Sequence, residues 1–277
     1  MAYRTFELRC SDSSSRFACE WKPEDTEQIK AVIAIVHGMG EHTGRYEHVA
    51  DWFTANGYSV FGFDQCGHGR TEGKRGHTES YEALLTGVDE MLAEAARIYP
   101  RLPVFLFGHS MGGNVAINYV LRRRPAIKGA IISGPWLKLA FSPPPLQVVV
   151  GRIVERVFPR YTNNRPLNVE HLTSDPMMME MYRSDPLGHG HITARFFFSV
   201  QTAGLWALKH ASEWPVPLLL MHGGSDRVTS IHASRQFAAA VGPLCTFIEW
   251  PEFRHELHNE SKRADVFEKM KDWLSQK

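Results

Sequence analysis

The residues with the clearest chemical meaning are Gly108-His109-Ser110-Met111-Gly112, a G-x-S-x-G pattern. It directly follows the apolar stretch LPVFLF and directly precedes NVAINYVL, a stretch with helical spacing. A serine at the apex of a sharp strand–turn–helix junction is exposed but sits on a strained backbone. Flanking glycines let the strand and helix approach without Cβ clashes. A hydroxyl is a weak nucleophile at neutral pH and needs a base, which a third group must orient. Asp226, in HGGSDRV after the strand-like PLLLM, and His255, in WPEFRHELH before the last helical stretch, are the candidates for carboxylate and base. Asp226 also suits an N-cap, since SD precedes an apolar helical run. His258 rivals His255, but it is expected on the helix already, whereas His255 lies in a loop that can turn toward Ser110.

Acyl transfer also needs donors aimed at a developing oxyanion. The backbone N–H of Met111, next after the nucleophile, is one candidate, and the N–H of Met39 in His37-Gly38-Met39-Gly40 is the other. His37 reads as a residue that orients this turn. Two other patterns carry less. His255-Glu256-Leu257-His258 resembles H-E-x-x-H, but position 259 is Asn259, so a zinc site is not expected. His189-Gly190-His191 reads as a solvated loop.

These residues must be positioned by a scaffold, and the order of elements describes one. Ala31–Val36 (AVIAIV) reads as a strand buried on both faces. Then follow a helix over 46–56, a strand over 58–63, a helix over 80–99, a strand over 104–107, a helix over 111–123 and a strand over 127–132. Beyond a long gap come a strand over 217–221, a helix over 231–241, a strand over 244–250 and a closing helix over 259–274. Such alternation predicts an α/β fold with a mostly parallel, doubly wound sheet. Residues 3–9 and 16–21 are expected to add an antiparallel edge. Residues 135–214 break the rhythm and exceed a normal crossover, so they are read as a helical cap inserted into a core of residues 1–134 and 215–277. Within the insertion, Leu146, Val149, Val150, Ile153, Val154, Val157 and Phe158 recur at helical spacing, opposite Arg152, Glu155 and Arg156. That helix either packs onto the main domain, or its apolar face lines an acyl-chain channel or touches a lipid surface.

A net charge of +1 gives no bulk field favouring nucleic acid. The run Arg122-Arg123-Arg124 before Pro125 reads as a solvated helix C-terminus. Cys10, Cys19, Cys66 and Cys245 lie far apart without a CxxC, which suits free thiols in a reducing compartment. Neither a secretory signal nor a run of about 18 apolar residues is visible. The expected location is therefore cytoplasmic, with peripheral membrane contact as the variant in which the cap touches lipid.

HGMGEHTGRY (37–46), FDQCGHGRTEGKRGH (63–77), GHSMGG (108–113), GGSDRV (223–228) and HELHNE (255–260) together resemble the monoacylglycerol lipases, and lysophospholipases of the same hydrolase group are similar. The resemblance runs from the first parallel strand to the last helix. It implies a capped α/β-hydrolase, a fold in which nucleophile, acid and histidine follow in that order along the chain. It further implies Ser110, Asp226 and His255 as the triad, with the Met39 and Met111 amides as the oxyanion hole. Asp64, Gly67, His68 and Gly69 match a second family motif that shapes a turn beside the site. The mammalian forms carry a cysteine shortly after the triad aspartate; here Arg227, Val228 and Thr229 fill that stretch. The implied reaction releases glycerol and a fatty acid from a small lipid ester through an acyl-enzyme, without a cofactor. A lysophospholipase or broad carboxylesterase is the alternative, an iminopeptidase-like peptidase is disfavoured by the apolar cap, and a non-catalytic receptor by the intact set of three side chains.

Overall fold

The computed structural model describes residues 1–10, 14–26, 29–164 and 166–277. The chain begins with two antiparallel strands, β1 (Ala2–Arg9) and β2 (Ser15–Lys22). The alternation follows: β3 (Ala31–Val36), α1 (Glu47–Ala55), β4 (Tyr58–Phe63), α2 (Tyr81–Ile98), β5 (Val104–His109), α3 (Met111–Arg123) and β6 (Gly129–Ser133). Next come α4 (Pro145–Val157), β7 (Thr162–Asn164), α5 (Pro176–Ser184), β8 (His191–Thr193) and α6 (Ala194–Lys209). The main sheet then resumes with β9 (Leu218–Gly223), α7 (Ile231–Val241), β10 (Cys245–Trp250) and α8 (Arg263–Leu274).

The eight-stranded sheet runs in the order β1-β2-β4-β3-β5-β6-β9-β10, and β7 and β8 form a separate ribbon. β2 joins β4 antiparallel, and every pairing from β4 to β10 is parallel. The central strands read as continuous apolar runs because both faces are covered. Ala34, Leu106, Ile132 and Leu220 face a layer containing Val88 of α2, Ile117 of α3, Phe196 of α6 and Phe237 of α7. Ile33, Phe105, Ile131 and Leu219 face Phe53 of α1 and Met270 and Trp273 of α8. This is an α/β-hydrolase fold, with the antiparallel edge where the sequence places it.

Sheet register decides which loops meet. Val36 pairs with Gly108 and His109 with Ser133, so the segments after β3, β5 and β6 leave the sheet side by side. Gly223 pairs with Trp250, which brings the loops after β9 and β10 to the same carboxyl edge. Such an edge, beside a reversal of strand order, is where open α/β sheets bind ligands.

Several expectations change in detail. The closing helix starts at Arg263 rather than at 259, because Leu257–Asn259 forms a single 3-10 turn. There the backbone is diverted to hold the segment before α5: Asn259 O accepts from Thr173 Oγ1 at 2.7 Å, and Glu260 accepts from the Ser174 N–H at 3.0 Å. Strand β6 spans 129–133 rather than 127–132, since Ile127 N–H turns back on Pro125 O at 2.9 Å. The arginine run does end α3, but Arg122 is not simply solvated; its guanidinium lies 3.8 Å over the Trp206 ring.

α6 is bonded firmly to the core. Asn114 Nδ2 donates to Val200 O at 3.1 Å and to Trp136 O at 2.7 Å, while Asn118 Nδ2 donates to Ala203 O at 3.2 Å. α4 is held differently. It rests on α6, with Gly151 against the Phe198 ring, and none of its residues is buried.

Candidate active site

Ser110 has φ 54° and ψ −118°, a combination that L side chains rarely adopt. The strain is held because the turn is locked on both sides. Ser110 N–H donates to Ser133 O at 3.0 Å, and Ser110 O accepts from the amides of Asn114 and Trp136. The flanking glycines are sterically required: a Cβ on Gly112 would come within 2.0 Å of Val36 O, and one on Gly108 within 2.8 Å of the Ala116 methyl. The steric reading of the G-x-S-x-G pattern therefore has a physical counterpart in strand β3 and helix α3.

The structure brings the three sequence-singled side chains together. Ser110 Oγ lies 2.8 Å from His255 Nε2, and His255 Nδ1 lies 2.8 Å from Asp226 Oδ2. The serine retains 8% exposure, whereas the imidazole and carboxylate are sealed from solvent. The same aspartate also caps its own turn, its Oδ1 accepting from the amides of Val228 at 2.7 Å and Thr229 at 3.0 Å. Asp226 is therefore not the N-cap expected for α7, a place Ser230 takes by accepting from the Ala233 amide; one of its oxygens holds the local turn and the other faces His255. Burial pushes the Asp226 carboxyl upward, but the His255 and His222 rings beside it hold it well below the usual carboxylate range. Burial pushes His255 down, yet the Asp226 carboxylate outweighs that and raises it above the ordinary histidine value. An imidazole so placed is a stronger base than a free one.

His258 stands elsewhere. It lies on the 3-10 turn rather than on α8, stacks on Tyr46 with ring centroids 4.9 Å apart, and has no hydrogen-bond partner on either ring nitrogen among the described residues. Burial holds it, and His109 between it and His255, well below the ordinary histidine value.

Met111 is the first residue of α3, a position whose N–H has no acceptor within its own helix. Met39 is half-buried beside Gly38 in the loop after β3, and its amide makes no hydrogen bond to protein among the described residues. His37 orients this loop as expected: its Nδ1–H donates to Gly38 O at 2.8 Å, and its Nε2 accepts from the Gln65 amide at 2.9 Å. Asp64 clamps the neighbouring turn, accepting from the Thr43 and Arg70 amides at 2.8 Å each.

The serine opens into a cavity of about 930 Å³. Part of its wall is apolar, built from Leu139, Phe141, Val150, Val154, Phe197 and Phe198. Another part is polar and was not singled out from the sequence: Glu41, Arg45, Tyr182 and Glu256. There the Arg45 guanidinium bonds Glu256 at 2.9 Å, lies 3.9 Å from Glu41 and covers the Tyr182 ring at 4.8 Å. A carboxylate and an arginine inside the glycine-rich stretch GMGEHTGRY were the available signal. His189 and His191 also line this wall, half-buried, with His189 Nε2 3.1 Å from Gly67 O; they are not a solvated loop. His222, at the end of the apolar strand β9, was likewise missed.

The fold and a serine at the elbow of β5 and α3 define an α/β-hydrolase. Within that class, residues 27–262 match the family model described as serine aminopeptidase, S33, and the chain belongs to this family. It is 30% identical over 256 residues to the monoacylglycerol lipase of Mycolicibacterium smegmatis, covering 92% of this chain and 90% of that one. It is also 30% identical to an uncharacterized abhydrolase domain-containing protein of Dictyostelium discoideum, of which it spans 29% of the length. The crystal structure of Paleococcus ferrophilus monoacylglycerol lipase superimposes with a TM-score of 0.85 at 28% identity, covering 94% of this chain and 98% of that one. The chain is a carboxylic ester hydrolase.

Proposed function

We propose that the chain hydrolyses monoacylglycerols, releasing glycerol and a fatty acid through an acyl-enzyme on Ser110. The observation that carries this reading is the continuous Ser110–His255–Asp226 hydrogen-bonded chain opening into a cavity with apolar and polar walls. His255 Nε2 takes the hydroxyl proton as Ser110 Oγ attacks the ester carbonyl. Asp226 keeps the other ring nitrogen protonated and stabilises the imidazolium. The Met39 and Met111 amides receive the oxyanion. His255 then returns the proton to the departing alcohol oxygen, and water repeats the sequence on the acyl ester. In this reading residues 135–214 act as the cap, and the walls contributed by α4 and α6 take the acyl tail.

The polar wall supports a neutral polyol as leaving group. Arg45 is already matched by Glu41 and Glu256, so this wall has no surplus positive charge for a phosphate. The lysophospholipid alternative rests on Arg227, whose exposed guanidinium also borders the cavity. Leu146, Val149, Ile153 and Phe158 are exposed on or just after α4 and support transient contact of the cap with a lipid surface. Among the described residues, no helix is long and apolar enough to cross a membrane.

The test is capture by a fluorophosphonate probe combined with competition among monoacylglycerols, lysophospholipids, short esters and aminoacyl substrates. The expected result is covalent labelling at Ser110 and preferred multiple turnover of a monoacylglycerol. Tight binding without turnover would favour a receptor, and preferred turnover of the lysophospholipid would move the assignment to the alternative.

A further inference from the structure

The carboxylate oxygen that faces His255 also faces a second imidazole. His222, the fifth residue of β9, is fully buried, and its Nε2 lies 3.1 Å from Asp226 Oδ2. Its other ring nitrogen, Nδ1, lies 2.8 Å from Ser234 Oγ on α7, also fully buried. These contacts fix the tautomer. An ionised carboxylate only accepts, so Nε2 carries the proton, and in the neutral ring Nδ1 accepts from the Ser234 hydroxyl. Thr229 Oγ1 approaches the same Oδ2 at 2.8 Å and also lies 3.0 Å from Gly134 O. Oδ2 therefore receives two imidazole N–H groups, from strand β9 and from the loop after β10, as well as facing a hydroxyl.

We propose that His222 is a positioning residue for the reaction: held as its Nε2–H form by Ser234, it fixes the Asp226 carboxylate against His255 and moderates how strongly that carboxylate draws the His255 proton. The inference rests on the reading of Ser110, His255 and Asp226 as the catalytic relay. Its physical basis is that one negative oxygen is shared between two donors. Removing the His222 donor concentrates the charge on the His255 contact and frees the carboxylate to rotate about its Cβ–Cγ bond. Because β9 is paired on both sides, with β6 and β10, and is buried along its length, His222 supplies an anchor that the loop carrying Asp226 cannot supply for itself. The other titratable groups facing His255 are His109, whose ring lies 4.8 Å away, His258 behind that ring, and Glu41 and Glu256 on the cavity wall. None of these contacts His222.

The experiment compares His222→Leu, His222→Gln and His222→Asn with the unaltered enzyme, reading kcat, KM and the acid limb of the kcat/KM profile. Loss of a hydrogen bond to a charged group predicts a fall in kcat of roughly 10- to 100-fold for the leucine variant, with KM little changed. Its acid limb moves to higher pH, since an uncompensated carboxylate holds the His255 proton more tightly. A glutamine amide reaches the Nε2 position and rescues most of the activity; an asparagine amide reaches only the Nδ1 position and does not. Should the leucine variant fail to fold, the Gln–Asn pair still decides. Equal loss in both, or a folded leucine variant with unaltered kcat and an unmoved acid limb, overturns the proposal. Ser110→Ala run alongside separates the two levels: if it stays active the relay reading itself falls, whereas an inactive Ser110→Ala with an indifferent His222→Leu removes the positioning role alone.

Discussion

The neighbourhood of Asp226 and helix α4 border the same cavity and are built on opposite terms. Both carboxylate oxygens of Asp226 are hydrogen-bonded, and β9, the strand that leads into its loop, is buried along its whole length. Along α4 no residue is buried, and Leu146 is 75% exposed. In the first region, a displacement of about 1 Å costs hydrogen bonds that have no replacement inside the protein. In the second, the helix rests on α6 through apolar contacts that are tolerant of shape and through Arg152, which lies over the Phe198 ring and donates to Thr202. Under the proposed function, the contrast gives chemistry to the rigid part and selection of the acyl chain to the adaptable one.

The largest effect that would break this division comes from the relay itself. Ser110→Ala and His255→Ala should each lower kcat by about 10⁴-fold or more, with the double variant little worse, because the members act as a unit. Thermal unfolding of Ser110→Ala should match the parent within a few degrees, and esterase kinetics with circular dichroism provide the check. Retained turnover in His255→Ala with loss in His258→Ala would transfer the base to the other histidine.

Next in size is Gly112→Ala. Its methyl group would lie 2.0 Å from Val36 O, so the elbow or β3 must shift, and both stability and activity should fall sharply. Parent-like melting and kinetics would show that the turn is looser than its packing indicates. A smaller effect is expected in the pH profile. In the proposed mechanism His255 must be neutral to take the serine proton, and its proton affinity is raised by Asp226. Activity should therefore be lost as pH falls, with the acid limb of kcat/KM lying above 6.5, the ordinary histidine value. The same raised affinity stabilises the fold at low pH, and that contribution disappears as pH rises through the folded-state value. An acid limb at or below 6.5 would contradict the direction.

The smallest change should come from α4. Val150→Ser is expected to leave the melting temperature within about a degree, since the side chain is exposed. It should reduce kcat/KM for long-chain esters by a few-fold while sparing acetate esters, the loss of apolar contact being about 1 kcal/mol. An equal loss on both substrates would undo the division between the two regions.

What could be read from the sequence follows from how local each signal is. The elbow is legible because Gly108 and Gly112 answer a constraint contained in a few consecutive residues. The succession of parallel strands is legible because AVIAIV and most of its counterparts are buried on both faces. His222, Glu41, Arg45 and Glu256 were not, because their roles depend on which strands are neighbours and on what the loops after β3 and β10 meet. Ordinary apolar or glycine-rich surroundings in the sequence conceal those partners. The start of α8 was misplaced for a related reason: Asn259 and Glu260 have a helical context in sequence but bond to residues more than 80 positions away.

The backbone of the base loop is laced to the segment ahead of α5: Glu256 N–H donates to Leu172 O at 2.7 Å, and the Arg254 side chain to Thr173 O at 2.6 Å. That seam sets limits for anyone who would transplant parts of this molecule. A foreign α4 could be spliced in to retune substrate length, but an exchange carrying away residues 171–174 would also remove the brace that keeps the imidazole aimed, so such a hybrid would need its donor's histidine loop as well.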